Sequence, residues 1–321
     1  MNILITGIHG FIGSNLVKEL SKTHKVYGID IIKPKKECVL HTFDWDDLEH
    51  NEIPPVDVII HLAGKAHDTK NFTGAEEYFT VNTGLTARIF KYFMHSGTGK
   101  FIFFSSVKAV ADQVQGDILT EDVRPAPEGP YGESKLAAEE NIRQEFNFRE
   151  LSKKRVYILR PCMIHGPGNK GNLNLLYGFV KKGIPWPLGS FHNLRSFTSI
   201  DNLSYIISNL VNRDIPSGTY NIADDLPLST NDLITLMSHT MHRRTHIWHL
   251  PKSMMTALAM LGTRLHLPLN TDRLNKLTES YVVSNEKIKK ALGVEKLPVG
   301  SREGLLITLE SFNSQYSASN K

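Results

Sequence analysis

Cysteine is nearly missing from this 321-residue chain, which has only Cys38 and Cys162. Two thiols exclude a disulfide framework and a zinc ribbon, and they point to a reducing compartment. Long hydrophobic runs are also lacking. None reaches the ~18 residues that a membrane span requires. The nearest, residues 254–261, predicts a buried helix, with an interfacial helix as the alternative. The opening Met-Asn-Ile-Leu-Ile-Thr-Gly enters a strand at once and shows no basic-then-apolar signal peptide. A cytoplasmic protein without membrane insertion is the expectation. A charge excess of one sign is lacking as well, because 37 Lys+Arg oppose 33 Asp+Glu. The basic runs at 33–36, 243–244 and 287–290 are short and scattered. Nucleic acid, which needs a broad basic face, is therefore excluded as a partner. The mild positive balance suits an anionic small substrate.

What is present is an ordinary globular composition, 40% hydrophobic and 22% charged. Compact apolar runs at 2–6, 25–30, 56–62, 100–105 and 155–160 read as strands. Helical patterns at 12–21, 76–95 and 132–151 lie between them. Such alternation predicts βαβ units and a parallel sheet covered on both faces. After residue 164 the pattern changes to a turn-rich stretch over 166–172. A strand–helix unit returns at 195–210, and a further strand is expected at 219–222. From 226 onward amphipathic helices should mix with short strands. The fold class is therefore α/β, a Rossmann doubly wound parallel sheet with a smaller mixed α/β substrate lobe. The boundaries expected are 1–164 and 195–225 for the nucleotide-binding domain, and 165–194 and 226–321 for the lobe. The tail, 313–321, is polar and expected to fray.

Two constellations carry chemistry. Thr6-Gly7-Ile8-His9-Gly10-Phe11-Ile12-Gly13 joins the first strand to the first helix. Glycines allow the tight turn, admit backbone N–H groups to a pyrophosphate, and let the helix pack close. The helix N-terminus favours the negative charge. Asp30 follows Gly10 by 20 residues at the end of the second strand. Its carboxylate suits adenosine ribose hydroxyls and repels a 2′-phosphate, so NAD is expected over NADP. Lys33, Lys35 and Lys36 stand close enough in sequence to soften that preference. The second constellation is Tyr131 and Lys135, which share a helix face at i and i+4. A lysine ammonium beside a phenol stabilises the phenolate and lets tyrosine act as a base. Ser106 ends the fourth strand 25 residues earlier, at the edge where ligands bind in open α/β sheets.

With these motifs the chain resembles the extended short-chain dehydrogenase/reductases, the NAD-dependent sugar epimerase/dehydratase family. The resemblance also rests on His61–Gly64 (His-Leu-Ala-Gly), Val81–Thr83 (Val-Asn-Thr), Ser105-Ser106, Pro130–Lys135 and Leu159–Pro161 (Leu-Arg-Pro). They run in family order, and weaker similarity continues to about residue 312. The resemblance implies that Gly7, Gly10, Phe11, Ile12 and Gly13 hold the pyrophosphate and Asp30 the ribose. Asp44 and Trp45 would border adenine, and Leu62, Ala63, Gly64, Ser105 and Pro161 would line the cofactor cleft, with Asn82 behind it. Ser106, Tyr131 and Lys135 would be catalytic, with Tyr131 and Lys135 also meeting the cofactor. Asn172, Leu173 and Arg195 match segments that grip a nucleotide and its diphosphate, with Arg273 or Lys276 as a second phosphate contact. Lys108 and Met163 would also face the substrate. A homodimer is implied, paired through helices at about 83–95 and 132–150.

Departures narrow the chemistry. Val107 and Lys108 stand where the family's dehydratases carry an acidic pair. Met163 and Val110-Ala111 depart from galactose epimerases, and Ser-Ser-Val-Lys looks closer to enzymes of UDP-N-acetyl sugars. Three readings follow: a UDP-sugar 4-epimerase, a 4-ketoreductase of a UDP-4-keto-6-deoxy-N-acetylhexosamine, and a non-catalytic NAD-sensing regulator. No metal is expected. His239, His242, His246 and His249 lack a third ligand of suitable spacing and read as surface histidines. His165 and Trp186 read as packing residues, with a substrate contact and stacking on a base as their alternatives, and Cys162 reads as a small buried residue.

Overall fold

The structure is a computed structural model that describes residues 1–50, 52–65, 74–148, 153–169, 171–267 and 269–318, with side chains to residue 312 at the C-terminal end. One parallel sheet dominates it. β1 (Asn2–Thr6), β2 (Lys25–Ile29), β3 (Thr42–Phe43), β4 (Val58–His61), β5 (Lys100–Phe104) and β6 (Arg155–Pro161) join β9 (Gly218–Ile222). Their order is β3-β2-β1-β4-β5-β6-β9, all parallel. The order reverses beside β1, and the crevice between the ends of β1 and β4 is where such sheets bind ligands.

Period-two alternation decides which face each residue serves. Ile3, Ile5, Val58, Ile60, Ile102, Tyr157 and Leu159 point to one side. There they meet α1 (Phe11–Leu20), α6 (Ile200–Asn212) and α10 (Glu286–Leu292). Leu4, Ile59, Phe101, Phe103, Val156 and Ile158 point to the other. They meet α3 (Leu85–His95) and α4 (Pro130–Glu145). The strand interiors are mostly apolar because both faces are covered.

A separate core lies beyond the sheet. It packs α5 (Asn172–Lys181), α7 (Thr230–Thr240), α8 (Lys252–Arg264), α9 (Thr271–Thr278) and α11 (Ser301–Ala318) around Tyr177, Met237 and Phe312. Between the two cores, β7 (Met163–His165) pairs in parallel with β8 (Phe197–Ser199).

Several expectations are corrected here. The turn-rich stretch expected from 166 is present at 166–169 and at Gly171, but it is flanked by β7 and α5, two elements that were not expected. Beyond residue 222 the described residues form only isolated bridges, such as Arg195 with Leu228 and Tyr281, and no strands. The polar tail continues α11 to residue 318, and 319–321 lie outside the described residues. The helix expected to run to 151 ends at Glu145; residues 149–151 of that expectation lie outside the described residues. The helix at 75–95 has a π-helical stretch, Phe79–Gly84, between α2 (Ala75–Tyr78) and α3.

Candidate active site

The glycine loop sits where the strand order reverses. Gly7 has φ +70°, a left-handed conformation that glycine alone adopts without strain. A Cβ there would stand 2.9 Å from Ala63 N, and a Cβ on Gly13 would stand 2.6 Å from Gly7 O. The loop therefore closes tightly on the start of α1 and on the β4 end. No side chain caps α1, and no acid sits in its first turn. Its backbone N–H groups thus keep their positive end for an anion. Asp30 lies beside this loop, accepting from His9 N at 2.9 Å and Ile31 N at 2.8 Å. Lys33 is ion-paired with Asp44. Lys36 donates to Ser14 Oγ at 2.7 Å, on the first turn of α1. The cradle and its carboxylate fit a dinucleotide.

His61 explains the motif at the end of β4. It is fully buried between Thr6 Oγ1 (2.7 Å) and Thr86 Oγ1 (2.9 Å). Thr86 Oγ1 donates onward to Asn82 O. Burial, with Lys135 nearby, pushes its pKa down to about 3, so it is a neutral strut. The extra residue of the π-helical stretch accompanies an inward-facing, buried Asn82. Asn82 Oδ1 accepts from Lys65 N at 2.7 Å, and Asn82 Nδ2 donates to Ser134 Oγ at 3.0 Å. A Cβ on Gly64 would lie 2.9 Å from Asn82 Oδ1 and 3.0 Å from Lys135 Nζ. The β4 end is thereby held against the lysine.

Ser106, Tyr131 and Lys135 converge at the β5 end. Ser106 caps the short turn Val107–Ala109, its Oγ accepting from Lys108 N at 3.2 Å. A Cβ at position 132 would sit 2.4 Å from Lys108 O, so Gly132 is what lets α4 approach that turn. The approach puts the Tyr131 phenol in hydrogen-bond contact with Ser106. Burial raises the phenol pKa, and the Ser106 hydroxyl lowers it. Lys135, one turn on, donates to Phe104 O at 2.9 Å. Burial brings its pKa down to about 8, against the pull of Glu139.

Glu139 is the residue that sequence reasoning missed. It is wholly buried and continues the Tyr131–Lys135 face by a further turn. It accepts from Ser105 Oγ (2.5 Å), from Arg160 Nε and Nη2 (2.8 and 2.6 Å) and from Arg143 Nη2 (2.8 Å). Burial alone would raise its pKa; the Arg160 fork and the other partners outweigh that and lower it. The spacing of four from Lys135 and the Arg of Leu-Arg-Pro were its available signals.

The remaining expectations divide. Asp44 is half-buried and accepts from Asp46 N and Asp47 N. Trp45 is buried in the sheet core, edge-on to His61. Pro161 ends β6 opposite Ile222. Lys108 donates to Asp112 and lies over the Tyr281 ring. Met163 opens β7. Asn172 is exposed at the start of α5, whereas Leu173 is buried in the second core. Arg195 Nη1 donates to Lys276 O at 3.0 Å, which places it against α9, the helix that carries Arg273. His165 and Trp186 are core residues, and burial pushes the Cys162 thiol up to about 12. No group of three metal-ligating side chains is assembled among the described residues.

Comparison with known proteins agrees with this geometry. The profile of the NAD dependent epimerase/dehydratase family matches residues 3–223. The chain belongs to that family. It is 31% identical to a UDP-glucose 4-epimerase of Vibrio cholerae, over 97% of this chain and 95% of that protein. It is 25% identical to an N-acetyl-α-D-glucosaminyl-diphospho-ditrans,octacis-undecaprenol 4-epimerase of Escherichia coli O157:H7, over 90% and 85%. Among solved structures, MoeE5 in complex with UDP-glucuronic acid and NAD superposes with a TM-score of 0.74. That likeness, at 23% identity and covering 98% of this chain and all of that one, shows the fold. As a family member the protein is an NAD-dependent enzyme of the sugar epimerase/reductase class. Among the described residues no helix is long and apolar enough to cross a membrane.

Proposed function

We propose that the protein is a 4-epimerase of a UDP-hexose or UDP-N-acetylhexosamine. The observation that carries this reading is the meeting of Ser106, Tyr131 and Lys135 at the sheet's ligand-binding edge. The full-length likeness to a UDP-glucose 4-epimerase supports it. Gly7, Gly10, Phe11, Ile12 and Gly13 hold the cofactor pyrophosphate, Asp30 its ribose, and Leu62, Ala63, Gly64, Ser105 and Pro161 line the cleft. NAD, when bound, supplies the acceptor and donor of the C4 hydride. Tyr131 takes the proton of the sugar 4-hydroxyl and returns it. Ser106 shares that proton and orients the sugar oxygen. Lys135 favours the phenolate through its charge on the same helix face. Arg195 and Arg273, on adjacent elements, meet the substrate diphosphate, which an Arg fork matches well.

The test is conversion without added cofactor. The purified protein is incubated with UDP-GlcNAc or UDP-galactose, and the sugar is followed by NMR. Interconversion at C4 supports the reading. Bound NAD with no interconversion overturns it in favour of the second reading, a 4-ketoreductase of a UDP-4-keto-6-deoxy-N-acetylhexosamine. Met163 and the acid-free Ser-Ser-Val-Lys favour that second reading. Keto-sugar-dependent oxidation of NADH would establish it.

The same proposal takes the protein as cytoplasmic and as a homodimer paired through α3 and α4. Ile142 and Phe146 are buried in the chain's own core, so Leu136 and Ala137, half-buried on α4, are left for that face.

A further inference from the structure

The second core covers only part of the apolar arc of α8. Met255, Ala259 and Gly262 are buried against the lobe. The row one residue earlier, Met254, Leu258 and Leu261, continued by Leu265, faces solvent. Leu258 is 46% and Leu261 51% exposed, with Met260 at 62% beside them. Trp248, 54% exposed, precedes the helix, and exposed Leu267 follows it. An ordinary surface helix carries polar residues on its free face, and a contiguous apolar patch of this kind marks an interaction site.

Charge points to the occupant. No Asp or Glu occurs in residues 233–271, although the chain has 33 acids in 321 residues. The same stretch holds Arg243, Arg244, Lys252 and Arg264, all exposed, and five histidines. Pairing this face with a second copy would set Lys252 and Arg264 against their like, with Asp272, beside Leu267, an acid only at its edge. An anionic surface complements it instead. Exposed apolar side chains, a tryptophan and flanking cations are the composition of helices that lie in a membrane interface.

We propose that the free face of α8, with Trp248 and Leu267 at its ends, docks on the surface of an anionic phospholipid bilayer. The face would sit among headgroups without spanning the bilayer. The substrate lobe would thereby be held at the membrane, whichever diphosphate-linked sugar it takes. The inference does not depend on the choice between epimerase and reductase.

The test is co-sedimentation of the full chain with vesicles. One set is phosphatidylcholine alone; the other contains about 30 mol% phosphatidylglycerol. At least ~10-fold more protein should pellet with the anionic set, and about 0.5 M NaCl should reverse this. Trp248 emission should shift to the blue on binding. The double variant Leu258→Glu/Leu261→Glu should lose binding ~10-fold or more while its conversion of soluble nucleotide sugar is unchanged, which shows that it is folded. Lys252→Gln/Arg264→Gln should lose ~25-fold, about fivefold for each cation brought to the surface. The proposal is overturned if wild type does not pellet with anionic vesicles, or if the Glu variant pellets equally. It is also overturned if the Glu variant instead turns a stable dimer into a monomer by light scattering.

Discussion

In the sheet half of the molecule, strand residues alternate between two covered faces. The buried polar groups at its ligand-binding edge are paired, with His61 between two threonines and Glu139 among Ser105, Arg160 and Arg143. In the helical lobe, α8 shares its apolar arc between a packed row and a free one. A buried charge must be paired where it stands, so the sheet half has no tolerance around its catalytic edge. A surface row has no such demand and is free to serve a partner.

The largest effect expected is at the proton-transfer residue. Tyr131→Phe should lower turnover by at least ~10²-fold, measured as sugar interconversion, with the fold retained. Near-normal turnover would remove Tyr131 from the chemistry and with it the functional difference between the two halves. Next is Glu139→Ala, which leaves Arg160 buried without its carboxylate. Thermal or denaturant unfolding should show a loss of about 3–5 kcal/mol. A change under 1 kcal/mol would mean that the cluster is not the anchor it looks to be.

Glu139→Gln sharpens the same point through pH. Burial sets Lys135 at about 8 and Glu139 opposes that fall. The ammonium is therefore lost above about pH 8, and turnover should decline on that alkaline side. Removing the negative charge destabilises the ammonium further, so the alkaline limb should move to lower pH. An unmoved limb would separate Glu139 from the catalytic lysine. Gly13→Ala follows, because its Cβ would meet Gly7 O at 2.6 Å. About 1–3 kcal/mol should be lost, together with retained NAD, measured by unfolding and by cofactor absorbance. The smallest effect belongs to the lobe, where Leu258→Glu should change stability by less than ~0.5 kcal/mol. A loss of several kcal/mol would show the free row to be packed after all.

The Thr6–Gly13 loop was legible because its turn is a local requirement: a left-handed residue, a close helix and a following carboxylate stand in fixed sequence positions. Tyr131 and Lys135 were legible for the same reason, since one helical turn sets their relation. Trp45, expected to border adenine, and Leu173, expected in the nucleotide-gripping segment, both have buried side chains, and a motif position does not reveal which way an apolar side chain faces. β7 was missed because a three-residue strand has too few alternations to stand out from the turns beside it.

By itself the sequence determined the alternation of strands and helices, the glycine cradle and the Tyr-x-x-x-Lys pair, all set by contacts within a few residues. The tertiary structure alone decided that Gly132 brings α4 onto the Ser106 turn, that Glu139 gathers groups from β5, α4 and β6, and that one row of α8 stays uncovered. Each of these depends on which distant surface packs against a residue, and side-chain burial follows from that packing rather than from neighbours along the chain.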